Sequence, residues 1–208
     1  MIEIKPEEIE KLSFRIITEE LGGRSFDPLH EPIIKRVIHT TADFGYADSL
    51  HFSDGAVKAA LEAVRNGADI VTDTRMAKAG ISAETLKKSG GEAHCFIADE
   101  DVAKEAKERG VTRASVSMER AALIGKKLIF AIGNAPTALI KLNDLIQSGR
   151  LEPALVIAVP VGFVNVIESK ELIMNCKVPV IAAKGRRGGS NVAAAIVNAI
   201  LYMAFPRK

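Results

Sequence analysis

The chain has no tryptophan, and only two tyrosines and eight phenylalanines in 208 residues. With so few rings there is no basic-aromatic platform for stacking nucleic-acid bases, and a net charge of +2 is too small to draw a long polyanion by itself. Cysteine is scarce too. Cys95 and Cys176 lie far apart, without a Cys-x-x-Cys pair or Cys/His ligand spacing, so the expectation is two reduced, buried thiols and no metal centre. Long apolar runs are missing. The longest, Val192 to Phe205, is interrupted by Asn198 and is too short to span a bilayer. Residues Met1 to Glu8 are acidic rather than basic-then-apolar, so no export signal is read there and the expected setting is cytoplasmic. No Gly-x-Ser-x-Gly elbow, His-Glu-x-x-His pair or persuasive pair of carboxylates occurs, which sets nucleophilic and metal-assisted hydrolysis aside.

What is present fits a soluble globular chain: 48% hydrophobic and 26% charged residues, enough length for a sizeable core, and no repeat or low-complexity linker. Residues 1–208 read as a single domain, with a helical segment over about 1–66 packed on an α/β core over about 67–208. Three helices are expected near 6–20, 32–43 and 53–66, the last capped by Phe52-Ser53-Asp54-Gly55. Beyond residue 68, β-rich runs at 69–72, 93–97, 127–132, 154–159 and 178–183 alternate with helical patterns near 99–109, 113–125, 135–148, 167–175 and 189–204. The last three runs are continuously apolar, as strands covered on both faces require. The pattern predicts a three-layer α/β/α fold with a mostly parallel five-stranded sheet, suited to a flavodoxin-like order and preceded by N-terminal helices. Ligands of such sheets bind beyond the carboxyl ends of the strands, so the loops after Thr72, Ile97, Ile132, Val159 and Ala183 are the ones to inspect.

The stretch from Arg36 to Ala47 sets His39, Thr40, Thr41 and Asp43 among residues patterned for burial. On a continuous helix His39 and Asp43 lie four apart on one face, where the carboxylate would orient the imidazole or raise its pKa. Histidine titrates nearest neutrality, so a held His39 is a candidate general acid or base. On that residue alone, the commoner case is a histidine at the edge of a surface helix. A second constellation is Lys184-Gly185-Arg186-Arg187-Gly188-Gly189-Ser190, between an expected strand and helix. Its glycines, helix start and two guanidinium forks suit an anion, although the spacing is neither G-x-G-x-x-G nor a Walker A loop. Asn165 sits in the loop after the fourth strand, and Gly133-Asn134-Ala135-Pro136-Thr137 and Thr72 to Ser82 occupy the equivalent places after the third and first.

Taken in order, these segments resemble the precorrin-8X methylmutase (cobalt-precorrin-8 methylmutase) family of corrin biosynthesis. The matching pieces are Ser13 to Ile17, Arg36 to Phe44, Asp73 through Gly80-Ile81, Thr112-Arg113, Gly133 to Ala138, Val161 to Asn165 with Glu168-Ser169-Lys170-Glu171, and Gly185 to Ser190. The resemblance implies an isomerase that moves a methyl group from C11 to C12 of a tetrapyrrole macrocycle. It also implies a flavodoxin-like homodimer needing no separate cofactor. His39 would be the acid catalyst. Ser13, Arg113 and Ser82 would touch the substrate, and Arg15, Thr40, Asp43, Asn165, Arg186 and Arg187 complete the expected binding set. The partner is a corrinoid bearing several carboxylates, with or without chelated cobalt; neither nucleic acid nor membrane is expected. Two departures mark the pocket wall: Asp73-Thr74-Arg75-Met76-Ala77 stands where the family more usually has Asp-Val-x-Met-Val, and Ala114-Ser115 follow Arg113 in place of a Ser-Ala-Ala run. The competing readings are a non-catalytic corrinoid-binding protein on the same scaffold and, from fold pattern alone, a flavin- or nucleotide-binding protein.

Overall fold

The computed structural model describes residues 5–206, so the two ends of the 1–208 span lie outside the described residues. In chain order the elements begin with α1 (Pro6–Glu20), α2 (Glu31–Thr41), α3 (Tyr46–Ser49), β1 (Leu50–Phe52) and α4 (Ala56–Arg65). There follow β2 (Asp69–Thr72), α5 (Arg75–Gly80), α6 (Ala83–Ser89), β3 (Ala93–His94), α7 (Glu100–Arg109) and α8 (Arg113–Ala121). The chain closes with β4 (Leu128–Ile132), α9 (Pro136–Gln147), β5 (Leu155–Ala158), α10 (Val166–Met174), β6 (Val180–Ala183) and α11 (Ser190–Ala204).

The sheet order is β1-β6-β5-β4-β2-β3. Its five strands from β2 onward are parallel and run in the flavodoxin-like order. The sixth, β1, was not expected; it pairs antiparallel with β6, Leu50 opposite Ala183. The sheet is therefore six-stranded rather than five-stranded. Alternation along the central strands divides the core into two layers. Ile129, Ala131, Leu155, Ile157 and Ile181 face α2, α4 and α11. Leu128, Phe130, Ile132, Val156, Val180 and Ala182 face α8, α9 and α10. Both faces of these strands are thus buried, which is why they read as unbroken apolar runs.

The apolar run ending at Phe205 is α11, a central helix with nine buried residues, against which α2 packs. Its polar interruption is satisfied: Asn198 donates to the Gly80 carbonyl at 2.8 Å and accepts from the Ser82 N–H at 2.8 Å, docking the α5–α6 junction. Three helix boundaries differ from expectation by two residues or more; α8 stops at Ala121 rather than running to 125. α4 begins at Ala56 after a left-handed Gly55, because Ser53 is drawn away and its hydroxyl accepts from the Val180 N–H at 2.8 Å. α2 ends at Thr41, where Ala42 turns left-handed at φ 53°. Cys176 is buried but Cys95 is only half-buried, and both are free.

Candidate active site

The antiparallel course of β1 decides where His39 goes. Because Leu50 opposes Ala183 at the carboxyl end of β6, the segment preceding β1 is delivered to the same edge as the loops that follow β2, β4, β5 and β6. The Lys184 N–H donates to the Ser49 carbonyl at 2.8 Å and fixes this junction. His39, in the last turn of α2, is exposed there, its ring stacked on Phe14 of α1 with centroids 5.2 Å apart and planes 12° from parallel. Among the described residues it makes no hydrogen bond or ion pair, so its nitrogens are open to a ligand. One turn back, Arg36 lies over the rings of Phe14 and Tyr202 at 4.7 and 5.3 Å and pairs with Glu10, holding α1 against α2.

Asp43 does not serve His39. The left-handed turn at Ala42 takes it off the helix face, and no bond joins the two among the described residues. Its carboxylate instead accepts from the Gly45 N–H at 2.8 Å and forms an ion pair with Arg187, Nε lying 3.1 Å away. Gly45 is needed here for space, since a Cβ would strike the Arg187 guanidinium. Tyr46 is buried beside this pair; burial first, then the Asp43 charge, push its phenol above the ordinary range, against the Gly188 N–H and Arg187, which pull it down. Arg187 thus ties the C-terminal end of the histidine helix to the loop after β6.

That loop is closely built. The Gly189 N–H donates to the Val159 carbonyl at 2.9 Å, and Gly188, at φ 153°, leaves no room for a Cβ against the same carbonyl. Arg186 lies 5.4 Å over the exposed Phe163 ring of the β5–α10 loop. With Val161 and Val164, Phe163 forms an exposed apolar patch on the sheet edge that carries the two arginines. Asn165 caps α10 at φ 56° with its side chain exposed and making no cap bond.

The crevice where the strand order reverses, between β2 and β4, is filled by the protein itself. Asp73, 1% exposed, accepts three backbone N–H bonds, from Gly133 at 2.9 Å, Asn134 at 2.8 Å and Ala135 at 2.6 Å. A phosphate or flavin tail in a doubly wound sheet would seek this nest of amides. Burial raises the Asp73 pKa, partly offset by the three N–H groups. The nest being filled by a side chain tells against the flavin or nucleotide reading.

The remaining expected residues are dispersed. Ser13 is spent on the Ile9 carbonyl at 2.9 Å within α1, next to Phe14. Arg15 is exposed beside Phe14 on a depression of about 300 Å³ shared with Lys11, Thr18 and Glu19. The exposed Thr40 returns its hydroxyl to the Arg36 carbonyl at 2.9 Å. Arg113 opens α8 at the same sheet edge, because Thr112 before it donates to Thr137 at the start of α9 at 2.9 Å. Ser82 caps α6, and its N–H donates to Asn198 in the middle of α11; no contact joins it to His39 among the described residues. Sequence reasoning gave no role to Phe14, Tyr46, Asp73 or Lys170. Phe14, Asp73 and Lys170 lay within matching segments, and nothing in the sequence pointed to Tyr46.

An apolar cleft of about 500 Å³, lined by Ala63, Ala68, Lys126, Pro153 and Pro179, sits at the amino ends of the strands, away from His39. The open histidine, the arginines and the apolar patch lie at the opposite, carboxyl edge.

The profile of the precorrin-8X methylmutase family matches residues 8–203. The chain is 46% identical to the cobalt-precorrin-8 methylmutase of Salmonella typhimurium (strain LT2), covering 95% of each chain. It is 45% identical to that of Priestia megaterium, over 97% of this chain and 89% of the relative. A solved structure of precorrin-8X methylmutase from Thermus thermophilus superposes with a TM-score of 0.88 at 40% identity, over 95% of this chain and 97% of that one. This chain belongs to the precorrin-8X methylmutase family.

Proposed function

We propose that the chain catalyses the shift of a methyl group from C11 to C12 of precorrin-8 or its cobalt-containing counterpart, with His39 as general acid. The observation that carries the reading is the exposed imidazole of His39, without a hydrogen-bond partner among the described residues, at the sheet edge that also bears Arg186, Arg187 and the Phe163–Val164 patch. Membership of a family of corrin-forming isomerases supplies the substrate class.

The chemistry asks for little beyond this. A proton delivered at or near a ring nitrogen makes the conjugated macrocycle electron-poor; the C11–methyl bond breaks as the C12–methyl bond forms, and the macrocycle then returns a proton, so the mass is unchanged. One placed acid supplies roughly 10²–10⁴-fold, and rigid holding of the ligand adds the rest. The macrocycle's carboxylates suit the forks of Arg186, Arg187 and Arg113, and its apolar face suits Phe163, Val164 and the Phe14 ring. Arg15, Thr40, Ser13 and Asn165 belong to the rim of this surface. Asp43 enters as the partner of Arg187, and Ser82 as a contact from deeper along α11. The reading takes residues 1–208 as one methylmutase domain, acting in the cytoplasm as a homodimer.

Purified protein incubated with precorrin-8 and, separately, with cobalt-precorrin-8 is expected to convert at least one to the corrin chromophore without a mass change. No conversion of either sinks the reading. His39→Ala is expected to lose turnover by about 10²–10⁴-fold while still binding product; normal turnover would remove His39 as the acid. Tight coloured binding without turnover in the parent protein would favour the corrinoid carrier instead.

A further inference from the structure

Lys170 is 1% exposed, on the inner face of α10, yet it forms no salt bridge with any described residue. Its ammonium donates to two backbone carbonyls, Gly185 at 2.8 Å and Arg187 at 2.7 Å. These two carbonyls bracket Arg186 and belong to the loop that carries both guanidinium groups. Burying a lysine without a carboxylate is costly, and a simple apolar residue would fill the space beneath the loop at less expense. The cation is placed where it fixes backbone and lends positive charge from below.

We propose that Lys170 is a positioning residue for substrate binding: its ammonium holds the backbone at Gly185 and Arg187, and so sets where the Arg186 and Arg187 forks meet the carboxylates of the ligand. The inference rests on the reading of this loop as the carboxylate-binding edge of a methylmutase. Lys170 touches no reacting atom. It differs from Asp43, which restrains Arg187 through the side chain; Lys170 restrains it through the main chain. The two restraints act on one residue from opposite elements, α10 on one side and the end of α2 on the other.

Burial lowers the Lys170 pKa to about 8. The charged groups around it are Glu168 and Glu171 on its own helix, Lys184, Arg186 and Arg187 in the loop, and Lys141 and Asp144 on α9, which packs against α10; β5 and β6 carry none. Tyr46, across the loop, titrates above its ordinary range and stays neutral near pH 8. Above about pH 8 the neutral amine keeps N–H groups to donate but loses the charge that strengthens both bonds. The folded state sheds this proton before the unfolded state does, so the Lys170 contribution to stability rises between about pH 8 and the ordinary value of 10.5. Loop anchoring and stability therefore move in opposite directions with pH, which a purely structural lysine would not produce in substrate binding.

The test compares the parent with Lys170→Met in steady-state turnover of whichever precorrin-8 form the parent converts. The expected result is a KM raised at least tenfold, a kcat within about threefold, and a thermal midpoint close to the parent's. An unchanged KM in folded Lys170→Met overturns the positioning role while leaving the methylmutase reading intact. A parent that converts neither substrate overturns the reading itself, and the inference with it. Should Lys170→Met fail to fold, the parent's own profile decides. KM rising at least fivefold from pH 7 to pH 9 without a fall in thermal midpoint supports the proposal, and a flat KM overturns it.

Discussion

Gly45 has backbone angles that any residue adopts, φ −61° and ψ −14°, so its importance is spatial. Its missing Cβ lets the Arg187 guanidinium lie flat across the turn and reach Asp43. Gly45→Ala should therefore leave the fold alone and displace only the flexible end of Arg187. An ion pair as exposed as this one is worth about 0.2–1 kcal/mol, so the thermal midpoint should move by less than about 4 °C. Substrate KM should rise about three- to tenfold with kcat retained, because binding in ground and transition states suffers alike. An unchanged KM would mean that Arg187 binds without Asp43 holding it. The residue scale is also where the sequence was least readable. His39, Arg186 and Arg187 stood out by type and by their place in the motifs. The partner of Asp43 did not, since four-residue spacing pairs it with His39 only if the helix continues, and the left-handed turn falls on Ala42, a residue with no preference for it.

Among elements, legibility followed burial. β4, β5 and β6 are covered on both faces and announced themselves as apolar runs; β2 and β3 were found from shorter β-rich stretches. β1 has three half-buried residues, one of them His51, and exists because β6 offers it an edge. No local pattern encodes that. The short helices α5 and α6 did have signals that a longer periodic pattern would have supported: the Thr74 hydroxyl accepts from the Ala77 N–H, and the Ser82 hydroxyl from the Thr85 N–H. Between β2 and the start of α9, the decisive contact is Asp73 in its nest of three amides. Asp73→Asn keeps the shape but turns an amide N–H₂ toward backbone N–H donors. Losing one or two charge-assisted bonds should cost about 2–3 kcal/mol, or about 4–12 °C in thermal midpoint. Burial raises the Asp73 pKa, so an unaltered midpoint would identify a carboxyl that is already protonated in the folded chain.

For the whole molecule, one edge of the sheet and one of its helical layers carry different loads. Its carboxyl edge gathers the open histidine and the arginine loop, while the α7–α8–α9 layer holds an ion-pair network around Glu119. There Glu119 receives Arg109 Nη1 at 2.5 Å and Lys141 Nζ at 3.1 Å, joining three helices. The Arg109 bond, opposed by burial and aided by Lys141, takes the Glu119 carboxyl down to about 2. A carboxyl depressed in the folded state gives stability that is complete above its ordinary value of 4.5 and is lost as pH falls toward about 2. Glu119→Gln should therefore lower the thermal midpoint at pH 7 by about 2–4 °C, the equivalent of about 1 kcal/mol for a partly shielded network. The variant and parent curves should converge as pH falls from 4.5 to 2, which a series of thermal melts across that interval reads directly. A constant gap at all pH values would assign the stability to packing rather than charge. Glu119 pairs with Arg109 and Lys141 and touches neither His39 nor the loop after β6 among the described residues, so methyl transfer at pH 7 should be unaffected by the same substitution, and stability and turnover separate.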